Sequence, residues 1–191
     1  MRNVILASAS PWRKKILAST RIPFRVEESG YKENMKLKLA PRVLAQRLAL
    51  GKAKRVAARH KSAIVIGADT FATYRGKFLG KPYTSRRAIR MLKMLSGKTH
   101  TLLTGFAVVD SKTGRAISRA VETKVTFRKL SNQEIGEYVK TGEPLNAAGA
   151  YVIQEGGARL IKRTEGDVNN IAGLPLADVV DALKKFGVSV R

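Results

Sequence analysis

The chain has no cysteine. Disulfides and thiolate nucleophiles are therefore excluded, and a structural zinc site is disfavoured. A reducing compartment, the cytoplasm, is expected. No apolar run approaches the roughly 20 residues that a membrane span needs. The N-terminal run Val4 to Ala7 is far too short for a signal-peptide core, so no membrane association is expected. Only two histidines are present, His60 and His100, without metal-ligand spacing. Neither a nucleophile elbow of the GxSxG type nor a Walker A loop occurs.

Acids are scarce relative to bases. Asp plus Glu number 14 against 37 Lys plus Arg, a formal net charge of +23. An anionic partner is expected: a nucleotide, a nucleic acid or an acidic surface. A surface of solvated lysines would give the same total. Between Asn34 and Val109 stand 17 Lys or Arg and a single acid, Asp69. A lone carboxylate in that setting is ionised. It suits a metal ligand or a base, or a counter-ion of nearby lysines.

The 191 residues suffice for one large domain or two small lobes. There is no low-complexity tract, linker or repeat. Val4 to Ala7 reads as a buried strand, and Ser10-Pro11 as the start of a helix. Leu44, Leu48 and Val56 share one face of a helix from about Pro41 to Arg59. Ala63 to Gly67 reads as a short strand placing Asp69 just past its C-terminal end, the edge where α/β sheets bind ligands. Thr84 or Ser85 caps the next helix, and Gly97 ends it. Leu102 to Val109 and Ala116 to Phe127 read as paired strands around a turn. Ser131 to Glu134 forms a capping box. Short strands are expected at Val152-Ile153 and Arg159 to Ile161, and a closing helix over Leu174 to Phe186. The mixed order predicts α/β with a mixed sheet.

Three clusters suit chemistry. In Leu6 to Arg13 a strand passes through small residues into a helix start, where backbone N–H groups and Arg13 suit a phosphate, as the same junction suits a plain cap. Gly67-Ala68-Asp69-Thr70 with Gly80-Lys81-Pro82 combines a carboxylate, for a cation or for water, with a lysine for phosphate. Lys52 on its helix reads on physical grounds as a solvated lysine. Gly142 to Tyr151 is rich in small residues, and Gln154 beyond it carries an amide able to read a base edge. Tyr31, Phe71, Tyr74 and Phe78 lie among basic residues and suit either base stacking or core packing.

These clusters together resemble the Maf family of nucleoside triphosphate pyrophosphatases. The matching segments are LASASPWR (6–13), LALGKA (48–53), GADT (67–70), LGKP (79–82), MLSGKTH (94–100), YVKTGEPLNAAGAYVIQ (138–154) and EGDVNNIAGLPL (165–176). They span nearly the whole chain in the family's order. The resemblance implies a single Maf-like domain over 1–191, made of two lobes around a central cleft. Its fold would be like that of inosine triphosphate pyrophosphatases, commonly in a homodimer. It implies cleavage between the α and β phosphates with Mg²⁺ or Mn²⁺. By position, Ser8, Arg13, Lys52 and Lys81 would hold the triphosphate, Glu33 and Asp69 would serve the metal and the attacking water, and Gln154 would line the nucleotide end. The surroundings of Glu33 lack the family's usual acidic pair.

Pyrimidine-type members usually carry Arg-Arg after Ser-Pro. Here Trp12 precedes Arg13, which looks like the 7-methyl-GTP branch; a tryptophan could stack on a cationic methylated purine. Thr70 and AGAYVIQ resemble the dTTP/UTP branch, and more positions favour it. The rival outside enzymology is a non-enzymatic nucleic-acid-binding or cell-division-associated protein, which the charge supports and the motifs do not require.

Overall fold

A computed structural model describes residues 2–34 and 37–189. Its strands are β1 (Val4–Leu6), β2 (Phe24–Val26), β3 (Ile64–Tyr74), β4 (Lys77–Leu79), β5 (Thr99–Asp110), β6 (Ala116–Phe127) and β7 (Ile161–Glu165). Its helices are α1 (Pro11–Ala18), α2 (Pro41–Ala57), α3 (Ser85–Leu95), α4 (Asn132–Lys140), α5 (Val168–Ile171) and α6 (Leu176–Lys185). The strands join in the order β2-β1-β3-β5-β6-β7, with β4 on β3. β1 is parallel to both β2 and β3, whereas β3 with β4 and β6 with β7 are antiparallel. The sheet is mixed, as expected.

Two compact units divide the chain. The first holds Met1–Asp69, Thr104–Val121 and Gly173–Arg191, and the second Thr70–Leu103 and Glu122–Ala172. In the first, Ile64, Ile66, Phe106 and Val108 pack with Leu174, Val179 and Leu183 of the C-terminal segment. Ile5, Val65 and Ala107 pack with Ala49, Ala53 and Val56 of α2. Strand residues of alternating parity thus face α6 and α2. Two glycines set the approach of α2. A Cβ at Gly67 would lie 2.3 Å from the Ala49 carbonyl oxygen, and one at Gly105 would lie 2.2 Å from that of Ala45. Only glycine admits a helix backbone that close.

Local signals hold where they are strong. Ser10 caps α1, and Ser131 with Glu134 forms the full capping box of α4. Three expectations change. β3 does not stop at Gly67 but runs on through Asp69 to Tyr74, because Ala72 to Tyr74 pair with β4 across a turn at Arg75-Gly76. Val152-Ile153 is not a strand, and a 3₁₀ turn, Gly156–Leu160, precedes β7. The closing helix begins at Leu176, after Pro175. No helix among the described residues is long and apolar enough to cross a membrane.

In the second unit Leu92, Leu95, Val125, Phe127 and Tyr138 form the core. His100 lies within it at 2% exposure, edge-on to Phe127 and Tyr151, with Nε2 2.9 Å from the Tyr151 hydroxyl. Burial lowers its pKa from 6.5 to about 4, so the folded ring is neutral. Below pH 6.5 the unfolded chain takes a proton that the folded chain refuses. Stability from this group is complete above pH 6.5 and is lost as pH falls towards 4. At pH 4.5 the loss should be roughly 2–3 kcal/mol. Urea titrations at pH 7.5 and 4.5 check this: His100→Gln, which cannot charge, should lose less stability than the natural chain by that amount.

Candidate functional site

After β1 the chain turns sharply, with Ser8 N–H donating to the Leu6 carbonyl at 3.0 Å. Ser8 is 7% exposed, and its hydroxyl accepts from Ser10 N–H at 3.2 Å. That turn leads into α1, whose first helical residue is Pro11. Arg13 points back across it. Its Nη1 donates to Ser8 Oγ at 3.2 Å and its Nε to the Gly173 carbonyl at 2.8 Å. The LASASPWR segment and the start of GLPL are thereby joined through one guanidinium.

Asp69 is 6% exposed in mid-strand. Lys52 reaches it from α2 and donates to Asp69 Oδ1 in a very short contact. The same ammonium lies 2.7 Å from Glu33 Oε1. The Lys52 side chain is 11% exposed, so it is no solvated lysine. Lys52 follows Gly51, where a Cβ would lie 2.4 Å from the Tyr31 ring. The segment 31–33 therefore lies close over α2, and this brings Glu33 to Lys52.

Burial pushes the Asp69 carboxyl above its ordinary pKa, opposed by the charge and hydrogen bond of Lys52. Burial likewise pulls the Arg13 guanidinium below its ordinary value, opposed by the charges of Asp69 and Glu33. Arg13 stays ionised, as arginine does in proteins. Five residues singled out in the sequence, Ser8, Arg13, Glu33, Lys52 and Asp69, thus form one electrostatic cluster in the first unit.

No group of three or more His, Cys, Asp or Glu side chains able to hold a metal occurs among the described residues. A closed protein cage is thereby unsupported. Two carboxylates converging on one ammonium fit a looser mode, in which Mg²⁺ takes one or two carboxylates and fills its remaining positions with water and phosphate oxygens.

Trp12 is half-buried on α1, with the Lys15 ammonium 5.7 Å from its ring centroid. Lys81 and Gln154 belong to the second unit. Lys81 is exposed beside a recess of about 300 Å³ that it lines with Arg87, Arg90 and Met94. Gln154 is half-buried in an irregular segment. Sequence reasoning missed what orders that segment. Glu143 accepts from Gly156 N–H at 3.0 Å, from Gly157 N–H at 3.1 Å and from the Tyr138 hydroxyl. The signal was available in the lone acid of TGEPLN.

The model of the family described as Maf-like protein matches residues 3–186. A dTTP/UTP pyrophosphatase of Moorella thermoacetica is 46% identical over 190 residues, covering 100% of this chain and 98% of that one. Enzymes of the same name from Geobacter sp. (strain M21) and Methanosarcina barkeri are 44% and 42% identical, over 97% and 100% of this chain and 96% and 97% of theirs. A HAM1 protein from Coxiella burnetii shares the fold, with a TM-score of 0.50 at 15% identity, covering 97% of this chain and 100% of that one.

Removing one member of a buried ion pair strands the other. Lys52→Met should therefore cost about 3 kcal/mol. Lys52→Met combined with Asp69→Asn should recover much of that loss. Urea unfolding of both single variants and the double variant measures the coupling; a value below roughly 0.5 kcal/mol would mean the pair contributes nothing specific.

Proposed function

The chain belongs to the Maf-like family, and from that premise we propose that it hydrolyses dTTP or UTP to the monophosphate and pyrophosphate. The observation that carries this reading is Lys52, buried between Glu33 and Asp69 with Arg13 beside them, in a chain 42–46% identical to dTTP/UTP pyrophosphatases along its length.

Water attacks the α phosphorus, the bond from that phosphorus to the α–β bridging oxygen breaks, and pyrophosphate leaves. Asp69 orients the water and accepts its proton. A base near pH 7 works best when its pKa lies above the ordinary carboxylate range, and burial moves Asp69 in that direction. Arg13 and Lys52 offset charge on the phosphate oxygens, and Ser8 adds a hydroxyl donor. Lys81 and Gln154 take the roles their motifs imply, at phosphate and at base. Glu33 and Asp69 would hold a divalent cation, Mg²⁺ or Mn²⁺. When bound, that ion supplies positive charge against the phosphates and lowers the pKa of water. Trp12 we assign to packing along α1, because the cation over its ring is the chain's own Lys15.

Asp69→Asn should remain folded at lower stability, since it strands Lys52, and reduce kcat by at least about 100-fold, the usual minimum for a lost base. Pyrophosphate release from dTTP, UTP, GTP and 7-methyl-GTP measures it. The natural chain should show its highest kcat/KM with dTTP or UTP, whereas preference for 7-methyl-GTP or release of orthophosphate would overturn the assignment. Excess chelator should abolish turnover, and added Mg²⁺ or Mn²⁺ should restore it. Full activity in chelator would remove the metal from the mechanism.

A further inference from the structure

From Thr70 to Val109 the chain carries eight Lys or Arg and no acid. All eight, Arg75, Lys77, Lys81, Arg86, Arg87, Arg90, Lys93 and Lys98, are exposed. None forms an ion pair with a described residue. The acids elsewhere behave differently: Glu27 serves Arg59 and His60, Glu134 serves Arg128, and Asp110 serves Arg2.

The placement works against the helix that carries it. The first turn of α3 has no acid, yet Arg86 and Arg87 stand there. The positive end of a helix dipole disfavours cations. Arg87, Arg90, Met91 and Met94 recur at helical spacing and line one side of the 300 Å³ recess with Gly80, Lys81 and Pro82.

Beside the recess an aromatic ring stands in solvent. Tyr83 is 65% exposed, the most exposed large hydrophobic side chain among the described residues. Its backbone is left-handed, at φ 59°, fixed by its N–H on the Leu145 carbonyl at 2.8 Å. A bulky residue held there is strained, and such strain gathers at functional positions. Met94 is also 41% exposed. Of the aromatics singled out in the sequence, Phe71 is buried and Phe78, at 38% exposure, has its ring set edge-on against it, whereas the Tyr83 ring is 65% exposed.

We propose that the exposed face of α3 with the Gly80–Tyr83 segment binds single-stranded nucleic acid. Arg87, Arg90 and Lys93 hold backbone phosphates, and Tyr83 stacks on an unpaired base. Stacking rings beside unpaired cations is how proteins take single strands without reading sequence. A duplex hides its base faces from Tyr83 and gains only the phosphate contacts. RNA and DNA offer the same phosphates and base faces, so both should bind.

Fluorescence anisotropy with labelled dT20, U20 and a 20-base-pair duplex tests this over a range of NaCl. Both single strands should bind, at least about tenfold more tightly than the duplex, with log affinity falling roughly 2 for each tenfold rise in salt if three phosphates are neutralised. Arg87→Glu with Arg90→Glu should weaken binding by at least about tenfold. Tyr83→Ala should weaken single-strand binding by about 5- to 100-fold and leave the duplex unchanged. The control Lys184→Glu with Lys185→Glu on α6 makes the same change in net charge and should have little effect; circular dichroism confirms that all variants fold. Equal affinity for duplex and single strand, or equal losses in the α3 and α6 variants, would overturn the proposal and leave only diffuse attraction by net charge.

Discussion

Placing one carboxylate, that of Asp69, in the interior constrains much of the first unit. A buried carboxylate needs a partner, and Lys52 supplies it from α2. That contact requires the helix to run close to the strand. Gly67 and Gly105 permit the approach, because any side chain at either would strike the α2 backbone. Gly51 performs the same service for the Tyr31 ring, which accompanies the segment that brings Glu33 to the other side of Lys52. The glycine of GADT thus belongs to the packing of the helix that carries Lys52, and not to a turn.

Elements decided by short-range chemistry were legible in the sequence. The Ser10 cap, the Ser131 capping box and the apolar face of α2 depend on residues within a few positions of one another. What depended on distant partners was not. β3 continues past Gly67 because β4 offers it a ladder, and nothing within Ala63 to Asp69 announces that partner. Lys52 read as solvated because its helix neighbours are core and surface residues, while its acids lie 19 positions earlier and 17 later. The lone acid was visible as unusual, yet its burial followed only from the fold. The Maf-like motifs supplied the grouping that spacing and periodicity alone did not.

The cluster at Asp69 also bears on the charge of the chain. Arg13 and Lys52 stand against Glu33 and Asp69, so these four groups are balanced before any ligand arrives. The formal surplus of +23 therefore resides elsewhere. Charges beyond about 8 Å are largely screened at physiological salt, so distant surface lysines contribute little to holding a bound phosphate. They act instead on encounter, by raising the local concentration of anions.

That division separates two kinds of basic residue. Arg13 and Lys52 are held by hydrogen bonds to protein acceptors, which fixes them before a ligand binds and lowers the entropy lost on binding. Arg86, Arg87 and Arg90 have no ion-pair partner among the described residues and stand in solvent on α3. A compact, defined anion is matched by the first kind. A long, flexible polyanion is matched by the second, whose side chains can follow it from phosphate to phosphate.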